Sequence, residues 1–303
     1  MVDPWSGKQR AEGFRQERSS RSSLFAIEQH AETIALQGNR NPSGEEAEMS
    51  DTETKLVEEL VTANRILANE DVIDIFGHIS VRSARNPQEF LLSCSRSPAA
   101  VTAADIMRYR LDCSIISKTG EKQYVERVIH GAIFQARPEV QAVCHTHSEG
   151  ILPFACTGEQ IRPVIHVGTM FWEGVGWFEK YDEGGNMLVA SVTEGKALAE
   201  SLGSGKAALL KSHGCVVAGN NLRETLMEAI YLDRNARVQL EAMRLGKPFY
   251  IDREVARRGA SVFEKAFVQD RAWGYWLARL PKGWETATGV SPADGSKLEA
   301  AAR

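Results

Sequence analysis

The pair His145 and His147 limits the fold of this chain more than any other feature, because it stands inside a short apolar run. In a strand, residues two apart project from the same face, whereas in a helix they point about 200° apart. The β-branched Val143 favours extension, and Pro138 closes the preceding segment. The sequence therefore predicts a strand over 140–147 with both imidazoles on one face.

A second apolar run ends in Ser212-His213-Gly214, and its imidazole would complete a three-histidine metal site. Neutral imidazole is a common ligand for zinc, iron and manganese, and three protein ligands leave one coordination position open for a substrate. In a chain with 7 histidines, such a pair also arises by chance, as buried side chains bonded to backbone carbonyls. The residues around the pair favour the first interpretation.

Residues 124–136 are predicted to form an amphipathic helix, since apolar residues recur there at helical spacing. Glu126 falls in its first turn, where the helix dipole favours a carboxylate that can point out of the helix end toward a site. The alternative is a simple capping charge.

Four motifs follow one another along the chain: Gly77-His78-Ile79-Ser80-Val81-Arg82, an acidic residue heading a helix, the His-x-His strand, and His-Gly after an apolar strand. In this order they resemble the class II aldolase/adducin family, from about Leu56 to about Gly246. The resemblance implies an α/β fold, a three-layer α/β/α arrangement around a central mixed, largely antiparallel sheet. It also implies a homotetramer with sites near subunit interfaces.

Carried over residue by residue, the resemblance makes His145, His147 and His213 the ligands of one divalent metal ion per subunit and Glu126 the catalytic acid/base. Mn²⁺ and Zn²⁺ are the first candidates, and three imidazoles also accept Fe²⁺, Co²⁺ or Mg²⁺. Some family members have lost the metal site and act as cytoskeletal proteins. Because these four residues are present, an enzyme is favoured over a non-catalytic scaffold.

The departures from the family pattern bear on the substrate. Members that act on sugar phosphates usually have Asn in a Gly-Asn-x-Ser motif, a Thr-Gly turn and a Ser-Ser pair, which cradle a phosphate. Here the corresponding residues are His78, the segment 95–98, and Tyr124 with Val125. A phosphate needs several convergent N–H and O–H donors, and these residues supply fewer of them. A phosphosugar substrate is therefore disfavoured.

Arg96 and Ser97 occupy the segment that holds phosphate in such relatives. A guanidinium matches a carboxylate in a bidentate fork, and His78 would add a second donor. This pattern resembles the family members that decarboxylate hydroxylated aromatic acids. We therefore expect a metal-dependent carbon–carbon lyase that decarboxylates a hydroxylated aromatic or heteroaromatic carboxylic acid. Cleavage of a small aldol or sugar phosphate is the alternative, and Arg96 could equally be a surface charge.

Three further residues are candidates for substrate contact. Ser80 lies in the strand of the first motif, and His166 ends an apolar segment before an aromatic-rich stretch that could wall a pocket or be core. Tyr275, on a predicted C-terminal helix, could close a neighbouring subunit's site or serve as an assembly contact. His130 is interpreted as a bystander, and Arg82 as a structural residue.

Composition excludes several other classes. The net charge of −4 and the pI near 6.0 give no global basic footprint for nucleic acid. No apolar run approaches the roughly 20 residues of a membrane span. The 5 cysteines form no C-x-x-C pair and are odd in number, which suits a reducing cytoplasm. We therefore expect a cytoplasmic enzyme whose partner is a small aromatic carboxylate.

Three parts of the chain are expected. Residues 1–50 are rich in Arg, Ser, Glu and Gln, which indicates a flexible extension that could precede the natural start. Residues 51–250 are expected to form the metal-binding catalytic domain. Residues 251–303 are expected to form a helical segment and a tail. The first helix of the catalytic domain would be capped by Asp51 or Thr52. The other predicted elements are strands at 71–83, 89–93, 109–117 and 165–166, a strand pair at 207–218, a helical turn at 102–107, and helices at 150–156, 193–202 and 222–244.

Overall fold

The computed structural model describes residues 44–117, 121–182 and 184–285, with the backbone alone for 44–50. The chain divides into two units, 1–47 and 48–303, and only residues 44–47 of the first are described, as helix. The predicted extension therefore lies largely outside the described residues, and the boundary after residue 50 stays a prediction.

Within the described residues, seven strands form one sheet in the order β3-β2-β1-β4-β7-β6-β5. The strands are β1 His78–Arg82, β2 Glu89–Ser93, β3 Ile106–Arg110, β4 Ala142–Thr146, β5 Gly176–Phe178, β6 Ala207–Leu210 and β7 Gly214–Gly219. Every neighbouring pair is antiparallel except the parallel pair of β5 and β6. The predicted mixed, largely antiparallel sheet is confirmed.

Helices lie on both faces of this sheet. They are α1 Gly44–Asn69, α2 Arg127–Ala136, α3 Leu152–Thr157, α4 Val192–Leu202, α5 Leu222–Leu245, α6 Arg253–Ala260 and α7 Ala266–Leu277. Along β4, Cys144 packs in a core with α1, α5 and α7, whereas Val143 packs in a second core with α2 and α4. This alternation buries both faces of the sheet and gives the three-layer arrangement.

Several predicted elements are confirmed with small shifts in their ends. The strand at 89–93 is β2, and the strand pair at 207–218 is the β6–β7 hairpin. The helices at 193–202 and 222–244 are α4 and α5. Each of these segments has a strong apolar period, which local sequence is sufficient to reveal.

The predicted strand at 71–83 is wrong over its first half, because the chain forms a turn there. In this turn the side chain of Asp74 accepts hydrogen bonds from the backbone N–H groups of Phe76 and Gly77. The predicted strand at 109–117 is shifted, because Cys113 has a φ of 67° and turns the chain back after β3, which starts at Ile106. A 3₁₀ turn at Ala103–Asp105 occupies the predicted helical turn.

Two other boundaries differ from the sequence prediction. His166 begins a 3₁₀ helix, His166–Phe171, instead of ending a strand, and the hydroxyl of Thr169 donates to its carbonyl. Helix α1 starts at Gly44, before the predicted caps Asp51 and Thr52. The strand β5 was not predicted, because three residues are too few to establish a period.

Arg82 is confirmed as a structural residue. Its buried guanidinium donates to the backbone carbonyls of Val140 at 3.0 Å and Phe134 at 2.9 Å, which ties β1 to the start of β4 and the end of α2. Separately, among the described helices none combines the length and apolar character that a membrane crossing requires.

Candidate metal centre

Three imidazoles meet where β4 ends and β7 begins. His145 lies in β4, His147 lies just beyond its end, and His213 lies in the turn between β6 and β7. Their ring centroids are 4.6 to 5.2 Å apart. A Cβ added to Gly214 would come within 2.8 Å of the Cδ2 atom of His147, so glycine allows the hairpin to approach this closely.

Hydrogen bonds orient two of the rings. Nδ1 of His145 lies 3.1 Å from the carbonyl oxygen of Cys215, and Nδ1 of His147 lies 3.0 Å from Oδ1 of Asp74. Because a carbonyl and a carboxylate only accept, each Nδ1 carries the proton, and in the neutral rings each Nε2 has a free lone pair. Burial lowers the pKa of His145 well below its ordinary value, which keeps that ring neutral.

The two Nε2 atoms of His145 and His147 are 3.0 Å apart. Two lone pairs at this distance repel each other, whereas a cation bound by both removes the repulsion. The donor set therefore fits a divalent metal ion such as Zn²⁺ or Mn²⁺.

Glu126 faces the same point as the histidines. Its Oε2 lies 3.6 Å from Nε2 of His145, and its Oε1 lies 3.6 Å from Nε2 of His213. One ligand atom from each of the four residues lies within 4.8 Å of the other three. Glu126 is the residue before α2 and not part of its first turn as predicted, so its side chain is free to point away from the helix.

The pKa of the Glu126 carboxyl lies near neutrality. Burial raises the pKa of this carboxyl to about 7. The backbone N–H of Val189 lies 3.0 Å from Oε1 and lowers the pKa, because it stabilises the ionised form. The negative charge of Glu194 raises it. A carboxyl with such a pKa can both give and take a proton at pH 7.

A cavity of about 530 Å³ opens beside this cluster. Its polar lining includes Glu126, His147 and His213 together with Arg96 and Ser97, and its apolar lining comprises Ile75, Phe76, Val125 and Leu188. The cavity therefore combines the metal-binding cluster, a cationic group and an apolar wall, in a volume suited to a small ring.

Arg96 is held at one nitrogen only, as far as the described residues show. Its Nη1 lies 3.0 Å from Oδ1 of Asp105, whose other oxygen accepts from the hydroxyl and N–H of Thr102. The side chain of Arg96 is 50% exposed, so its remaining N–H groups are accessible to an anion.

The structure places the other predicted substrate residues differently. His78 and Ser80 are buried beneath the cavity and do not line it. His166 begins a 3₁₀ helix, its ring centroid lies 5.2 Å from that of Phe263, and it does not line this cavity. Its contact with substrate stays a prediction. Tyr275 is exposed on α7 and away from the cavity, and its role at a neighbouring subunit stays a prediction.

Sequence reasoning missed two contributors and misjudged a third. Asp74 orients His147, and its Asp-x-x-Gly spacing, typical of a side-chain-capped turn, was the available signal. The N–H of Val189 binds Glu126 from 63 residues away and left no local signal. His130, interpreted as a bystander, bonds to both His78 and Ser80.

The fold and the site define a class of protein, an α/β protein with a cluster of three imidazoles and a carboxylate at one end of a largely antiparallel sheet, open to a cavity. Residues 58–240 match the family model described as Class II Aldolase and Adducin N-terminal domain. This match spans more than half of the sequence, so the chain belongs to the class II aldolase and adducin family.

Two relatives agree with this assignment, and a solved structure has a similar fold. Decarboxylase tropJ of Talaromyces stipitatus is 28% identical over 254 residues, which cover 75% of this chain and 94% of that protein. The 3,4-dihydroxyphthalate decarboxylase of Arthrobacter keyseri is 26% identical over 245 residues, with the same shares covered. The fold is similar to L-fuculose 1-phosphate aldolase from Glaciozyma antarctica, at 24% identity and a TM-score of 0.67, over 85% of this chain and 97% of that one.

We expect Asp74→Asn to weaken Zn²⁺ binding about 10- to 100-fold, because a neutral amide is a poorer acceptor for Nδ1–H of His147. The amide oxygen can still accept from the backbone of the 74–77 turn. Competition with a chromophoric chelator measures the affinity. Glu149→Gln is the matched control, since it removes one exposed negative charge two residues from His147. Equal affinities for the two variants would show that Asp74 does not support the metal.

We expect the Glu126 carboxyl to lower the stability of the metal-free protein as pH rises from about 4.5 to about 7, because the folded state holds Glu126 with a raised pKa while the unfolded state ionises normally. A shift of this size corresponds to about 3 kcal/mol. The buried histidines act in the opposite direction, since burial lowers their pKa, so the contribution of Glu126 is read from the difference between wild type and Glu126→Gln. Glu126→Gln removes this loss, so the variant should gain on wild type across that interval. Urea unfolding with chelator at pH 5, 6, 7 and 8 measures it, and a pH-independent difference would contradict it.

Proposed function

We propose that this protein is a divalent-metal-dependent carbon–carbon lyase that decarboxylates a hydroxylated aromatic or heteroaromatic carboxylic acid. The observation that carries the proposal is that Arg96, Glu126, His147 and His213 line one cavity, so a carboxylate-binding cation faces the candidate metal centre. The similarity to two decarboxylases over 75% of this chain supports it.

His145, His147 and His213 would hold the metal ion. The Nε2 atoms of His145 and His147 lie 3.0 Å apart while their Nδ1 atoms bond elsewhere, and Nε2 of His213 lies 3.6 Å from Glu126, which faces the same point. A divalent cation supplies Lewis acidity there, which stabilises negative charge on a substrate oxygen next to the reacting carbon. Three imidazole ligands leave coordination positions for the substrate.

Arg96 would bind the substrate carboxylate through the guanidinium nitrogens that Asp105 leaves free, with the hydroxyl of Ser97 beside it. The apolar side chains of Phe76, Val125 and Leu188 would contact the ring and exclude water. The carbon–carbon bond to the carboxylate then breaks, carbon dioxide leaves, and the electron pair stays on the ring carbon.

Glu126 would return the proton to that carbon. Burial favours the protonated form of its carboxyl, and the proton that it donates replaces the departed carboxylate. The N–H of Val189 fixes Oε1, which leaves Oε2 to face the cluster. Glu126 regains its proton from water between turnovers.

Assembly into a homotetramer belongs to the same proposal, as the family leads us to expect. Ile75 and Phe76, at the cavity, are each 64% exposed. Large apolar side chains with this exposure are consistent with a face that another subunit covers.

The purified protein loaded with Mn²⁺ or Zn²⁺ should release carbon dioxide from at least one acid in a panel of ortho-hydroxy aromatic carboxylates. We expect Arg96→Lys to lower kcat/KM about 10- to 100-fold, because the ammonium keeps the charge but loses the fork that is worth roughly 1.5–3 kcal/mol. Arg110→Lys, an exposed change in β3, is the matched control.

Sugar phosphates belong in the same experiment. Aldehyde production from them without carbon dioxide from the acids would replace the decarboxylase with an aldolase. Absence of bound metal together with absence of turnover would indicate a non-catalytic scaffold.

A further inference from the structure

The loop 184–190 supplies two contacts to the candidate site. It lies between β5 and α4 in the chain, and the backbone N–H of its Val189 donates to Oε1 of Glu126 at 3.0 Å. The side chain of Leu188, one residue earlier, lines the cavity beside the metal centre. The position of this loop therefore sets both the direction of the Glu126 carboxyl and part of the apolar wall.

Contacts within the loop do not fix that position. Its first residues are exposed, and the φ angles of Gly184 and Met187 are 74° and 65°. The left-handed region is unfavourable for a residue with a side chain, so the surrounding structure has to hold it. The N–H of Leu188 finds only a local acceptor, Oδ1 of Asn186 at 3.3 Å. The side chain of Val189 is buried, but apolar packing has no direction and does not orient the N–H.

Glu194, the third residue of α4, ties the chain on both sides of this loop. Its side chain is buried, and its Oε1 accepts the backbone N–H of Asp182 at 3.0 Å. Its Oε2 accepts the N–H groups of Ala190 and Ser191, at 2.9 Å each. A backbone N–H can only donate, so the direction of all three bonds is determined. One carboxyl therefore holds the chain before the loop and at its end.

A helix cap explains only part of this arrangement. In a capping box the residue before the helix accepts from the N–H of the third helical residue, whose side chain accepts one N–H in return. Ser191 and Glu194 form such a pair, with Oγ of Ser191 3.1 Å from the nitrogen of Glu194. The bonds to Asp182 and Ala190 go beyond that pair, and Asp182 is 12 residues away. Glu194 therefore serves the loop as well as the helix.

The helix that holds Glu194 packs closely on the helix that follows Glu126. A Cβ added to Gly195 would lie 3.0 Å from the carbonyl oxygen of Val128 and 3.1 Å from Cβ of Ala132, so glycine permits this approach of α4 to α2. The carboxyls of Glu194 and Glu126 are thereby carried by two helices in direct contact. A loop tied to Glu194 is tied to the same frame as Glu126.

We propose that Glu194 is a positioning residue, whose carboxyl ties both sides of the loop 184–190 and thereby holds the N–H of Val189 on Glu126 and the side chain of Leu188 at the cavity. Glu194 does not line the cavity itself and acts through the loop. The inference rests on the proposed function, because it assigns Glu194 to the proton donor and the ring-binding wall of that reaction. Without the tie, Oε1 of Glu126 loses its fixed partner and Leu188 leaves the ring.

Hydrogen exchange of the backbone amides tests the tie itself. It is measured by mass spectrometry with single-residue resolution, on the full chain supplied with Zn²⁺. In wild type we expect slow exchange at Asp182, Val189 and Ala190, since each N–H is bonded to a carboxylate. Glu194→Gln replaces one acceptor oxygen with a donor, so exchange at Asp182 and Val189 should accelerate about 10- to 100-fold. Fast exchange at Asp182 in wild type, or unchanged exchange in the variant, would overturn the proposal.

Ser191→Ala is the matched control. It removes the hydroxyl that caps α4 and so lowers stability, but it leaves every backbone N–H that Glu194 accepts. We expect exchange at Asp182 and Val189 to stay slow in this variant. Acceleration equal to that of Glu194→Gln would reduce Glu194 to a helix cap.

Glu194→Asp covers the case in which Glu194→Gln does not fold. It keeps a negative charge at the start of α4, which favours the helix, but its side chain is one methylene shorter and cannot reach both sides of the loop. We expect faster exchange at Asp182 and Val189 here too. Exchange at the wild-type rate would overturn the proposal.

Steady-state kinetics tests the effect on the reaction. With an acid that the wild type decarboxylates, Glu194→Gln should lower kcat about 10- to 100-fold through Glu126 and raise KM through Leu188. Loss of folded protein alone would lower the apparent kcat and leave KM unchanged. Leu188→Ala should raise KM by itself, and Glu194→Gln should add little to that rise, because both changes remove the same contact. Additive effects on KM would overturn the proposal.

The two proposals fail in different ways. If no acid of the panel is turned over, the proposed function fails, while hydrogen exchange still decides whether Glu194 ties the loop. If the wild type decarboxylates an acid and Glu194→Gln matches Ser191→Ala in exchange, kcat and KM, the inference fails and the proposed function stands.

Discussion

The antiparallel pairing of β4 with β7 is the interaction on which the site depends. Its register sets Thr146 opposite Cys215, which brings the end of β4 beside the turn that holds His213. A slip of one residue would turn His145 to the opposite face of the sheet and replace it with an apolar neighbour. The close approach of Gly214 to His147 allows this register at the point where the imidazoles meet. Sheet geometry therefore creates the metal-binding cluster.

Burial has opposite effects on the two kinds of titratable group in this region. It raises the pKa of Glu126 to about 7, and it lowers the pKa of His145 and His213. Both shifts come from the cost of an unpaired charge in a poorly hydrated site. At neutral pH the same environment therefore gives a carboxyl that can donate a proton and imidazoles whose lone pairs are free for a cation.

The sequence predicted the fold where the pattern is local and strong. His145 and His147 could be placed on one face because a strand repeats every two residues. His213 and Glu126 stood out beside apolar segments, and the resemblance to the family gave them their roles. The features that were missed depend on contacts between distant segments. Asp74 reaches His147 from a loop 73 residues earlier, and His130 meets His78 and Ser80 only because α2 packs on β1 and β4. No local period reports such contacts.

The most direct measurement of the central claim is X-ray absorption at the zinc edge of the zinc-loaded chain. We expect one zinc per chain with three imidazole nitrogens at about 2.0–2.1 Å and oxygen in the remaining positions. The same spectrum from His213→Ala should show two imidazoles. A wild-type spectrum with oxygen ligands alone, or with fewer than three imidazoles per zinc, would contradict the account.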